Sequence, residues 1–198
     1  LRFVNIDYNS IKGLVYDFNE FIDINKISLE PTMERLRDFF HYNFIFFLTE
    51  NHNCIFGRNI EDVTDFPHIK IKLKNHSVFP DYYKLPGGDF NSNLVVLAEG
   101  PMDILSEQLY DYINIKKTVN FYTSALSSNY NMLIRSIIHN EQIFKPDVII
   151  LGDSDVDVKR YKKFKYHNRF ILNSLTVYNN RNGKDFNILP VEPVKISV

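Results

Sequence analysis

Leu94-Val95-Val96-Leu97-Ala98-Glu99-Gly100-Pro101-Met102-Asp103 is the stretch that decides the fold of this chain. Five apolar residues in an unbroken run suit a strand buried on both faces, as in a parallel sheet covered by crossover helices. Glu99-Gly100-Pro101 ends the run, and a helical segment carrying Ile104, Leu105, Leu109 and Tyr110 is predicted to follow. The same rhythm continues downstream. Strands are predicted at 118–122 and 147–151, helices near 129–139 and 156–165, and an apolar run covers 170–177. Alternating strands and helices imply an α/β fold with an open, mostly parallel sheet that binds ligands at the carboxyl ends of its strands.

Upstream the pattern differs. Pro86-Gly87-Gly88-Asp89-Phe90-Asn91-Ser92-Asn93 is a dense run of turn formers, and a domain boundary is expected there, dividing 1–92 from 93–198. In the first part, Pro31 to Phe40 reads as a short helix with Met33, Leu36 and Phe39/Phe40 as its apolar stripe. Phe44–Leu48 and Cys54–Arg58 flank the turn chemistry of Asn51-His52-Asn53 and read as a hairpin. Ile69, Ile71 and Leu73 alternate with Lys70, Lys72 and Lys74, the period of a half-buried strand with a basic outer face. A small, mainly antiparallel α+β subdomain is expected.

Composition sets the outer bounds. The chain has 198 residues, is 44% hydrophobic and 24% charged, and contains 17 Phe and 12 Tyr, which excludes wholesale disorder. No apolar stretch approaches the ~20 residues that span a bilayer, and no basic-then-apolar leader opens the sequence. The single Cys54 rules out an internal disulfide framework or a cysteine-based zinc ribbon within these residues. A reducing, cytoplasmic setting without membrane partners is the expectation. A formal charge of −1 offers no global field for nucleic acid, so such a partner must be held by local basic patches. Asn, Ile, Lys, Phe and Tyr are abundant and have AT-rich codons, which points to an AT-rich genome, such as that of some phages. The start at Leu1 suggests a piece of a longer polypeptide.

The acids fall where function is expected. Glu99 follows one apolar strand, and Asp153-Ser154-Asp155 follows another after Gly152, so both groups emerge at the same edge of a parallel sheet. If those strands are neighbours, the carboxylates converge on a hard-cation site suited to Mg²⁺ or Mn²⁺, with Glu99, Asp153, Asp155 and Asp157 as candidate ligands. A metal beside a phosphate offsets the charge that grows during phosphoryl transfer.

These residues resemble a known family. Val95 through Asp103, with Val148-Ile149-Ile150-Leu151-Gly152-Asp153-Ser154-Asp155 further along, is similar to the Toprim domain of bacterial-type primases, topoisomerases, OLD-family nucleases and recombination proteins. The Glu-Gly-x-x-Asp and Asp-x-Asp elements match in order, spacing and strand context. The flanks look most like the catalytic core of phage and bacterial primases. Phe56-Gly57-Arg58 resembles their turn-then-Gly-Arg passage, Ile69-Lys70-Ile71 and Tyr82-Tyr83-Lys84-Leu85 fall where they carry a Lys-Tyr strand and a turn, and Gly183-Lys184-Asp185-Phe186-Asn187 resembles the closing motif of T-even-type phage primases. The correspondence covers roughly 43–190, and only the Toprim part is specific. No zinc-binding module precedes it in these residues, and no Walker-type helicase motif follows.

The resemblance implies a primase core that makes short RNA primers from ribonucleoside triphosphates on single-stranded DNA, partnered by a replicative helicase. Glu99, Asp103, Asp153 and Asp155 would be its catalytic acids, with Asp103 orienting the motif, and Arg58, Lys70, Lys72 and Lys184 would hold phosphates. A Toprim-type nuclease and a noncatalytic scaffold that binds DNA or a helicase stay open beside it. Plainer explanations exist for each feature. Acids at a helix start are favoured by the macrodipole. Asp153, Asp155 and Asp157 also suit a solvated loop or a receiver domain, although receiver domains lack the Glu-Gly element. Arg58 could simply pair with Glu61 or Asp62, Lys184 suits a turn, and the basic run Lys159, Arg160, Lys162, Lys163, Lys165 suits a solvated helix. The six histidines show no metal-ligand spacing.

Overall fold

The computed structural model describes residues 17–59, 68–73, 80–85, 92–105, 120–123, 129–183, 186 and 192–198. They fall into two compact units, the described residues up to 73 in the first and those from 80 onward in the second.

The first unit packs two helices on a three-stranded antiparallel sheet. Helix α1, Phe18–Asn25, starts where the Asp17 side chain accepts from the Glu20 N–H at 2.8 Å, and buries Phe18, Phe21 and Ile22 at helical spacing. Pro31 opens α2, Pro31–Asn43, which runs directly into β1, Phe44–Leu48. Strand β1 pairs with β2, Cys54–Asn59, and β2 with β3, His68–Lys72. The helix, hairpin and alternating basic strand expected here are all present. Phe44, Phe46, Leu48 and Ile55 form the core with Phe18, Phe21 and Ile22 from α1, and Phe39, Phe40, Ile69 and Ile71 close it. Gly57 stands opposite Phe46, where an added Cβ would lie 2.6 Å from the phenyl ring, so the ring fits only because position 57 has no side chain.

The second unit is built on a six-stranded sheet in the order β4-β6-β5-β7-β8-β9. Its four central strands, β6 (Asn120–Thr123), β5 (Leu94–Ala98), β7 (Asp147–Gly152) and β8 (Ser174–Asn180), are parallel. The edge strands β4 (Tyr83–Leu85) and β9 (Pro193–Ile196) run antiparallel. Helices α3 (Tyr130–Glu141) and α4 (Val158–Asn168) link β6 to β7 and β7 to β8, and pack together through an edge-on contact of Tyr130 with Phe164. They cover Val95, Leu97, Val148, Ile150 and Val177 with Tyr130, Leu133, Ile134, Ile137, Tyr161 and Phe164. On the opposite sheet face Val96, Ala98 and Leu151 are buried as well, as the continuous apolar runs require.

One expectation needs correction. A boundary at 92/93 would leave Tyr83–Leu85 in the first unit, yet β4 pairs with β6 and belongs to the second sheet. Tyr82 enters that core against Tyr122, and its hydroxyl donates to Glu141 on α3 at 2.8 Å, while Lys84 also bonds Glu141. The segment Pro101–Ile104 is a 3₁₀ turn, and 106–110, where the expected helix would run on, lie outside the described residues. Within the apolar run from Phe170, β8 begins at Ser174, and Phe170 is solvent-exposed just past α4. Among the described residues, no helix is long and apolar enough to cross a membrane.

Candidate active site

Strands β5 and β7 lie side by side, and Ala98 opposite Leu151 is their last pair. Glu99 therefore leaves β5 level with Gly152, and Asp153 follows one residue later on a strand about 4.8 Å away. The chain passes from β5 to β6 on one side and from β7 to β8 on the other. Connections that diverge in this way open a crevice between the carboxyl ends of the two strands, and open α/β sheets bind their ligands in that crevice. Glu99 and Asp153 stand on its two lips.

The electrostatics converge on the same place. The Tyr130 hydroxyl is pushed well above its ordinary pKa by burial, then by Tyr161 and by the charges of Asp153, Glu99 and Asp103. Tyr161 is raised too, by burial first and then by Asp153, with Glu99 and Asp155 adding to the effect and Arg160 opposing it. Two phenols under the sheet edge thus feel four carboxylates from two strand ends. Asp153 is buried, Glu99 half-buried and Asp155 exposed. Among the described residues, no three His, Cys, Asp or Glu side chains gather closely enough to hold an ion by themselves. An ion held there would draw only one or two carboxylates from the chain and complete its shell with other ligands, which is how Mg²⁺ is commonly bound.

The remaining acids have structural work. Asp103 is buried, and its Oδ2 accepts from the Gly100 N–H at 3.1 Å, which folds the turn carrying Glu99 back on itself. Asp157, a candidate ligand from sequence, is the N-cap of α4, with Oδ1 accepting from the Lys159 N–H at 2.9 Å. An Asp immediately before a helix is the usual cap, and that signal is visible in the sequence.

Sequence reasoning did not anticipate Tyr161 and Asn179. A Cβ added at Gly152 would lie 2.0 Å from the Tyr161 hydroxyl and 2.6 Å from its Cζ, so this ring presses on the backbone just before Asp153. Its hydroxyl is buried with no hydrogen-bond partner among the described residues. Asn179 stands opposite Gly152 on β8, and with its amide nitrogen turned inward it donates to the carbonyls of Gly152 and Tyr178 at 3.2 Å each. The helical spacing of Tyr161 and Phe164 marks an inward face, but only the fold shows which loop that face supports.

Arg58, Lys70 and Lys72 belong to the first unit. Arg58 lies opposite His68, Phe56 opposite Lys70 and Cys54 opposite Lys72, so alternation puts all three cations on the sheet face turned away from α1 and α2. Lys70 and Lys72 are exposed and Arg58 is half-buried. Lys184 lies outside the described residues. The class defined by the geometry is an open α/β protein with acids at the switch point of its sheet. No family model, characterised protein or solved structure matches this chain.

Proposed function

We propose that this chain is a Toprim-type catalytic core of the primase kind, making short RNA primers on single-stranded DNA during replication. One observation carries the reading: Glu99 and Asp153 leave adjacent parallel strands at the point where the connections diverge. Glu99, Asp153 and Asp155 would hold Mg²⁺ or Mn²⁺, and Asp103 would keep the Glu99 turn in shape through the Gly100 N–H. A metal bound there supplies positive charge to the phosphates of a ribonucleoside triphosphate. The chain's own part is positioning, which carries most of phosphoryl-transfer catalysis. Tyr161 and Asn179 brace the Gly152 backbone, so Asp153 is presented at a fixed height above the sheet. Arg58, Lys70 and Lys72 would contact phosphates of template or nucleotide on the first sheet.

Extension of labelled ribonucleotides on a single-stranded template, with Mg²⁺ or Mn²⁺ and with or without a replicative helicase, tests this reading. Primer-length products that vanish in Glu99→Gln support it. Strand degradation without nucleotides would identify a nuclease at the same site, and binding without either reaction would leave the scaffold.

A further inference from the structure

We propose that the outward face of α4 and the turn after it form a docking platform for single-stranded DNA, in which Lys159 and Lys163 meet phosphates and Tyr166 and Phe170 stack on bases. The inference rests on the nucleic-acid reading above only for the identity of its occupant.

Tyr161, Phe164 and Asn168 fill the inner face of α4. Lys159, Lys163, Tyr166 and Phe170 follow one another at intervals of four, three and four, which puts them along one line on the opposite side. The first two are exposed cations, and the last two are rings with relative exposures of 64% and 75%. Arg169 joins the rings: its guanidinium carbon lies 4.3 Å from the Tyr166 ring centroid and 4.4 Å from that of Phe170. The same guanidinium donates to the Tyr166 carbonyl at 2.8 Å, so a cation and two aromatic faces are tied into one cluster.

Stability does not account for this arrangement. Between Val158 and Phe170 there are six Lys and Arg residues and no acid, in a chain whose formal charge is −1. Lys159 and Arg160 stand in the first turn, where the macrodipole disfavours cations, and Lys159 and Lys163 repel each other one turn apart. Solubility would be served as well by mixed charges, and it gives no reason to expose two rings. A single strand gives a reason for both, since its phosphates take the cations and its unstacked bases take the rings. Duplex DNA offers the phosphates but withholds the base faces.

The test is equilibrium binding of labelled oligothymidylate, duplex DNA and heparin to the full chain across a salt titration, with neither nucleotide nor metal present. A failure of primer synthesis therefore leaves this result untouched. Tyr166→Ala/Phe170→Ala is expected to weaken oligothymidylate binding about tenfold or more while leaving heparin and duplex affinity within twofold. Lys159→Ala/Lys163→Ala is expected to flatten the salt dependence of single-strand binding by about 1.4 in log–log slope, from two lost phosphate contacts. Tyr166→Phe/Phe170→Tyr keeps both rings and should bind like the parent chain. Phe170→Ala alone lies beyond the last residue of α4, so it reports on stacking even if the double variant loses helix. Oligothymidylate binding that is absent, that survives loss of both rings, or that keeps its full salt slope without the two lysines overturns the platform.

Discussion

Replacing Gly152 with alanine tests how the acid loop is held. The φ of Gly152 is not in the left-handed region, so the backbone itself would accept alanine, and the obstacle is the Tyr161 ring at 2.0 Å from Oη and 2.6 Å from Cζ. Both distances are far inside van der Waals contact, and the buried ring has little room to retreat. Overpacking of this kind costs about 1–3 kcal/mol, which corresponds to a fall in melting temperature of roughly 2–12 °C for a chain of this size. The Asn179 amide, at 3.2 Å, is only slightly tight and adds little to the clash. The decisive measurement is a double-mutant cycle with Tyr161→Ala, read by chemical denaturation. In that background the clash is gone, and Gly152→Ala should cost close to nothing, a coupling of about 1–3 kcal/mol. An equal cost of Gly152→Ala in both backgrounds would refute the steric account and leave the bracing of Asp153 by Tyr161 without support.

Glu99→Gln and Asp153→Asn remove charge at nearly constant shape, so far-UV circular dichroism should be preserved while primer synthesis falls by orders of magnitude; full activity in either variant would make the acids structural. Asp103→Ala strips the buried Gly100 N–H of its acceptor and should destabilise the second unit by about 1–3 kcal/mol in denaturant unfolding, with Asp103→Asn milder because an acceptor remains. Tyr82, Tyr130 and Tyr161 are all raised in the folded chain, by burial first, so the native state retains protons that unfolded tyrosines release near pH 10. Their contribution is complete below that pH and declines above it, at up to roughly 4 kcal/mol per pH unit for the three together. Alkaline titration of tyrosinate absorbance should therefore show these three ionising only as the protein unfolds; early ionisation of all 12 tyrosines would contradict the buried placement.

Much of this architecture is legible in local pattern. Leu94–Ala98 is apolar throughout because both faces of that strand are covered, and His68–Lys72 alternates because only one face of that edge strand is packed. Helix α1 also had its signal, an Asp17 cap followed by Phe18, Phe21 and Ile22, but eight residues with a single turn of apolar spacing stand out weakly. Strand β4 has three residues, too few for any period, and its partner β6 lies far along the chain. The candidate site divides in the same way. That Glu99 and Asp153 follow strands is a local fact, whereas the adjacency of those strands depends on sheet order, which no local periodicity encodes. Asp157 illustrates the converse, because one Asp before a helix satisfies both a cap pattern and a ligand pattern, and the structure shows the cap, made through Oδ1.

The antiparallel edge strand β4 bears on how the second unit can be isolated. A fragment begun at 93, after the turn-rich run, would carry every acid of the crevice but would lack Tyr83–Leu85. The backbone of β6 would then present an open row of donors and acceptors, a template for pairing with another molecule. The same cut removes Tyr82 from beside Tyr122 and leaves the Glu141 carboxylate without the Tyr82 hydroxyl and Lys84 ammonium that neutralise it. Fragments begun near residue 80 keep that clasp and are the ones suited to soluble expression, whereas those begun at 93 should self-associate.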